Sequence, residues 1–458
     1  MNGLMNWLEK HIIPVASKIG SQKHLVALRD AFIGTMPATM AGSVAVLLNV
    51  FFRDFPTTWG WTGFVEFMAP VVAVNGYVWT GTLAVMAVIF STTLGYNLAR
   101  AYNVDALSGA VVSLAAFIMG LTQTAATALT VEGQLPKKAI DMITTAGGTV
   151  EDGNIIGAGA WGYFNFGKHM GGTGLFTAII FGFIATIIFS KLMLRKITIK
   201  MPDSVPPAVA KAFAAIIPAS VALYVCAIIN YLFTTYMGMP IIDWITETIQ
   251  APLLELSQGF GAVLIIVFLV HLLWFFGIHG TNVMAPVLQT IYGSAMTTNI
   301  NAQQTGAKIP YKWVAGSFEA FVWPGGAGVT LMLLVAILVL SKRADSRVVG
   351  KLAIGPGIFN INEPAMFGMP IVLNPLYMIP FILAPMATAT VAYFATMSGL
   401  VNPVVASIPW VTPAGISGFL ATAGDWRAIV LTLVNLVVAF IIWAPFVLAA
   451  NKIPLEDN

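Results

Sequence analysis

The chain has 458 residues, 58% of them hydrophobic and only 9% charged, with a net charge of +3 and a mean hydropathy of +0.85. An average soluble domain is about 25% charged, so composition excludes a water-soluble globular fold and calls for no nucleic-acid partner. The single cysteine, Cys226, excludes a disulfide framework or a multi-cysteine metal site within one chain.

In residues 1–25, Trp7, Leu8, Ile12, Ile13, Val15 and Ile19 are set among Glu9, Lys10 and Lys18. No short apolar core leads to a small-residue cleavage site. The pattern predicts an amphipathic helix lying in the membrane interface. Apolar runs that reach or approach the roughly 20 residues of a spanning helix follow at 31–52, 76–99, 106–129, 174–194, 208–233, 263–278, 321–340, 377–395 and 428–450. Cys226 falls in the fifth and is expected to be a buried, inert thiol. Residues 130–172 carry Glu132, Lys137, Lys138, Asp141, Glu151 and Asp152 and are expected to form an exposed, non-cytoplasmic loop. The charged, proline-rich stretch 201–207 is the clearest internal break. The chain divides into membrane regions 26–235 and 236–458.

Lysine and arginine collect on the cytoplasmic side of a membrane. Lys10, Lys18, Lys23 and Arg29 precede the first run, and Arg100 follows the second. Lys191, Arg195, Lys196 and Lys200 follow the fourth, Lys342, Arg343, Arg347 and Lys351 the seventh, and Lys452 the last. With the N-terminus inside, these groups agree only as far as the fourth run. One more crossing must lie between Tyr236 and Glu319, with 241–256 and 283–295 as candidates. The segments 352–375 and 401–421 are apolar but interrupted by proline and glycine, and read as re-entrant. The expectation is an all-α polytopic membrane protein of about ten transmembrane helices, with re-entrant hairpins, broken helices and both termini cytoplasmic.

An ionisable side chain at membrane depth is costly and marks function by default. Glu363 stands in GPGIFNINEPAMFG, residues 355–368, beside Asn360 and Asn362. A carboxylate with two carboxamides offers acceptors and donors suited to a neutral polyol. His279 ends an apolar run in WFFGIHGTN, 274–282, with Trp274 and Gly280 as further candidates. Trp410, in the broken stretch IPWVTPAG, offers a flat apolar face to a sugar ring. Asn165 with Lys168 and His169, His271 and Arg100 are weaker candidates: an ordinary loop end, a packed polar residue and a positive-inside marker. No metal-ligand spacing or phosphate-binding loop is present, and no cofactor is called for.

Residues 357–364 (GIFNINEP) and 273–280 (LWFFGIHG) closely resemble the membrane IIC component of the bacterial sugar phosphotransferase system, in its lactose/cellobiose/diacetylchitobiose branch. Stretches 201–206, 341–345 and 409–413 match as well. The resemblance implies ten spans with re-entrant hairpins, a homodimer with a largely N-terminal contact, and a sugar held by the C-terminal half. It implies residence in the bacterial cytoplasmic membrane and uptake of a disaccharide, with cellobiose ahead of diacetylchitobiose and lactose. The sugar would be phosphorylated at the 6-hydroxyl of its non-reducing ring by a phosphocysteine on a cytoplasmic IIB partner, itself charged by IIA. Glu363 and His279 would meet that hydroxyl and Trp410 would stack on a ring. The place of Asn165 rests on a looser match. The chain would be the permease component alone, with the phosphoryl donor on another chain. The rival readings are a proton-coupled symporter using Glu363 and a purely structural or receptor role.

Overall fold

The structure, a computed structural model, describes residues 18–452 apart from 122–123, 132, 154, 162–168, 203 and 370; before residue 18 it describes only Lys10, Pro14 and Val15. The interfacial helix expected over 1–25 lies largely outside the described residues, as do Asn165 and Lys168. Among the described residues, seven helical stretches are long and apolar enough to cross a membrane: Lys23–Thr58, Thr62–Ala101, Gly172–Leu194, Pro207–Met237, Ala315–Leu340, Pro375–Met397 and Arg427–Ala450. An eighth is the pair Ile241–Ser257 and Phe260–Phe275, bent by 77°. The chain is a multi-pass helical membrane protein.

The N-terminal half packs α1 (Lys23–Asn49), α2 (Thr62–Gly81), α3 (Met86–Ala101), α4 (Ala106–Met119) and a later helix, Leu175–Leu194. Small residues bring backbones together, as membrane helices require. A Cβ on Gly95 would collide with the Gly109 carbonyl oxygen, and one on Gly109 with Ala99 Cβ. Ser113 Oγ donates to the Ser91 carbonyl at 2.7 Å across the same seam. Helix α2 is apolar, yet only Asn75 on it is buried, so most of its surface is not covered by the rest of the chain. Cys226 is fully buried, as expected of an inert thiol.

Two expectations fail here. The run 106–129 is not one span. The helix stops at Met119, and β1 (Thr124–Thr130) pairs antiparallel with β3 (Ile155–Trp161), which also pairs β2 (Thr149–Glu151). Its alanines and leucine carry the apolar score, while its three threonines favour a strand. The presumed loop 130–172 is thus partly sheet, with a short helix, α5 (Lys137–Thr145), on the way. The run 76–99 begins too late: helix starts at Thr62 and is interrupted at Thr82 (φ −125°, ψ −83°).

After α6 (Leu175–Leu194) and α7 (Pro207–Leu232) come α8 (Ile241–Ser257) and α9 (Phe260–Phe275). Both sites proposed for the hidden crossing are helical. Residues 280–305 run unbroken through α10 (Gly280–Val287), a wide π-turn Leu288–Gly293, and α11 (Ser294–Thr305). Hydropathy misses this stretch because one face, with Thr281, Asn282, Gln289 and Thr297, lines a cavity.

The run 321–340, read as continuous, is broken. A π-turn, Phe318–Val322, ends at Trp323. Gly325, Gly326, Gly328 and Val329 take positive φ before α12 (Thr330–Leu340) begins. Backbone freed at membrane depth must find partners, and neighbouring helices supply them. Asn435 Nδ2 donates to Phe321 O at 2.8 Å and Thr388 Oγ1 to Val322 O at 2.6 Å. Thr330 Oγ1 donates to Gly325 O at 2.7 Å and Trp443 Nε1 to Gly328 O at 2.9 Å. These donors come from α12, α15 (Pro375–Met397) and α17 (Arg427–Ala450). Between α12 and α15, α13 (Ala344–Ile358) turns back through Asn360 (φ 63°) into the short α14 (Glu363–Gly368). Residues 401–415 are irregular and lead into α16 (Ile416–Ala421).

Candidate functional site

The broken elements converge on a cavity of about 540 Å³. One wall is α1, through Arg29, Phe32, Ile33, Met36 and Met40. The others are the polar face of 280–305, the break around Glu319, Trp323, Gly326 and Ala327, the α13–α14 turn, and residues 407–410. Trp274, His279, Asn360, Asn362, Glu363 and Trp410 all line it, although they come from three separate stretches of sequence.

His279 is the N-cap of α10 (φ −63°, ψ 92°). Its Nδ1 accepts from the Asn282 backbone N–H at 3.3 Å and lies 3.0 Å from Thr281 Oγ1. A backbone N–H can only donate, so Nδ1 is the acceptor and the neutral ring carries its proton on Nε2. That proton is left for the cavity. The ring rests on buried Trp274, with centroids 4.3 Å apart at 44°. Gly280, expected at the site, does not line the cavity. A side chain there would collide with the Val270 carbonyl oxygen, so the glycine lets α10 fold back against α9.

Glu363 is exposed to the cavity at the first position of α14, and lines the same cavity as His279. Pro364 follows it at the start of the helix, where a missing N–H costs nothing. Asn362 is buried and donates to Ala327 O at 3.2 Å. The Asn360 carboxamide is engaged with backbone on both sides. Nδ2 donates to Trp410 O at 2.6 Å and Thr412 O at 2.9 Å, and Oδ1 accepts from the Gly325 N–H at 2.7 Å. Its work is to hold the segments carrying Glu363, Trp410 and the Gly325 break together. Trp410 itself is 50% exposed, to the cavity.

Residues 29–385 match the family model described as "Phosphotransferase system, EIIC". The chain belongs to that family. It is 44% identical to a cellobiose-specific EIIC component of Lactococcus lactis, over 99% of each chain. It is 33% identical to an oligo-beta-mannoside-specific EIIC component of Bacillus subtilis, over 98% of this chain and 95% of the other. Among solved structures it resembles ChbC, the IIC component from the N,N'-diacetylchitobiose-specific phosphotransferase system. That match has a TM-score of 0.85 and 35% identity over 97% of this chain and 98% of that one.

In this EIIC chain the sequence overlooks two charged lining residues. Arg29 sits on a stripe of α1 with Phe32, Ile33, Met36 and Met40, whose three- and four-residue spacing marks one helix face. Its guanidinium holds Asp30 through Nε at 2.9 Å and Nη2 at 2.7 Å. Glu319 lies inside an apolar span, which is itself a signal. Of the weaker candidates, His271 is packed away from the cavity between Trp323 and Phe381, with Nδ1 donating to Val267 O at 2.7 Å. His169 is buried against Asp243 at 3.1 Å, and Arg100 is exposed beside Tyr96. The cavity offers an imidazole donor, carboxylate acceptors and flat indole faces. Such a set can hydrogen-bond and stack against a hydroxyl-rich ring.

Proposed function

We propose that this chain carries a disaccharide, cellobiose first, across the cytoplasmic membrane and presents its 6-hydroxyl to a phosphocysteine on a IIB partner. The observation that supports this reading is the meeting of His279 and Glu363, distant in sequence, in one cavity with Trp274 and Trp410. His279 Nε2–H donates to the hydroxyl oxygen while Glu363 accepts its proton, which aims a lone pair at the incoming phosphorus. Phosphoryl transfer depends mostly on such positioning, and a carboxylate in hydrogen-bond reach is a sufficient base. The S–P bond breaks, the O6–P bond forms, the thiolate leaves on IIB and the hydroxyl proton passes to Glu363.

The preference for cellobiose draws on the cellobiose-specific relative. The basic stretch 342–351 is the face offered to IIB in this reading, through Lys342 and Lys351, which are exposed. Arg343 pairs Asp345 at 2.8 Å, and Arg347 donates to Leu338 O and Ser341 O at 3.1 and 3.2 Å. In membrane vesicles with phosphorylated IIB, labelled cellobiose is expected to appear inside only as its 6-phosphate. Accumulation of unmodified sugar driven by a pH gradient without IIB would contradict the reading and favour the symporter.

A further inference from the structure

We propose that Glu319 is a second sugar-hydroxyl acceptor, and that it sets the preference for two linked rings over one. This rests on the transport reading above. Glu319 stands on the π-turn Phe318–Val322, a widened turn of the kind that often marks function. Its side chain opens into the main cavity and also into a small recess behind Trp410, lined by Ser417 and Ala421. His279 and Glu363 do not reach that recess.

Among the described residues Glu319 has no ion pair or hydrogen bond. The one cation lining the same cavity among the described residues, Arg29, is turned to Asp30 at 2.7 Å. A charged side chain inside an apolar span belongs at a water-filled cavity, and Glu319 is exposed there, where the hydroxyl donors of a ligand can take the place of water. Trp410 borders both spaces, so a ring stacked on its face brings its equatorial hydroxyls to Glu319. The other ring then presents its 6-hydroxyl to Glu363 and His279. Two rings occupy two carboxylates.

The test is calorimetric titration of the purified full chain with cellobiose and with methyl β-glucoside, a single-ring probe. Glu319→Gln is expected to weaken cellobiose about tenfold, the loss of one charge-assisted bond, and to leave the single ring within about twofold. Glu363→Gln is expected to weaken both. Glu319→Asp, which keeps the charge on a shorter stem, carries the same test if Glu319→Gln does not fold, with a selective fall of about threefold or more. Unchanged cellobiose affinity, or equal losses for both sugars, would overturn the proposal while leaving the transport reading intact. If the unsubstituted chain binds neither sugar, both fall together.

Discussion

The Asn360 carboxamide donates to the Trp410 carbonyl oxygen at 2.6 Å, across fifty residues of sequence. That bond, with those to Thr412 O and Gly325 N, ties three interruptions of regular helix into one frame. Asn360 itself sits at φ 63°, a region asparagine tolerates better than most residues.

Asn360→Ala therefore removes two donors and an acceptor at once and strains the turn. The variant is expected to lose about 2–4 kcal/mol of stability, the sum of two or three unmet hydrogen bonds. It should also lose sugar affinity as Trp410 and Glu363 drift apart. Thermal unfolding in detergent, followed alongside titration, checks this. A variant with unchanged melting and weaker binding would mean that Asn360 touches sugar instead.

His279 has two roles that substitution separates. Asparagine is a good N-cap, so His279→Asn should keep α10 capped and melt within a few degrees of the natural chain. It cannot reproduce the Nε2–H in the cavity, and IIB-dependent phosphorylation should fall at least about a hundredfold, as for loss of a positioned proton-transfer or polarising group. His279→Ala should lose both the cap, about 1 kcal/mol, and the activity. Full activity in His279→Asn would remove the imidazole from the chemistry.

The break at Trp323 depends on donors from elsewhere in the bundle. Asn435→Leu strips Phe321 O of its 2.8 Å partner and should cost about 1–3 kcal/mol. Thr388→Val does the same to Val322 O. Together the two should unfold the chain at markedly lower temperature, and a double variant as stable as the parent would mean that the freed carbonyls find water.

Much of this was legible in the sequence, for a physical reason. Clustered glycine and proline weaken a regular helix without forbidding it (α13 runs through Pro356), so 352–375 and 401–421 declared their interruptions. Glu363 and His279 declared themselves by being ionisable there. Other features lacked such contrast. Residues 280–305 are helical but carry a wet face, so hydropathy undercounts them. The Pro324-Gly325-Gly326-x-Gly328 break is flanked by residues so apolar that the average hides it. Residues 124–130 reverse the problem, because alanine and leucine read as apolar helix while the threonines among them belong to a strand. The α1 wall of the cavity was missed because the sugar was expected in region 236–458, with only weaker candidates such as Asn165 outside it. Asn360 was legible as important but not as scaffold, since only the fold shows whose backbone its carboxamide meets.

The most direct test is a double-substitution cycle on cellobiose affinity with Glu363→Gln, His279→Asn and the two combined, measured on purified chain. If both side chains hold one hydroxyl, their losses will not add. The coupling should be about 1 kcal/mol or more, and the double variant should bind within about threefold of the weaker single variant. Losses that simply multiply would place the two groups on separate parts of the ligand and contradict the account.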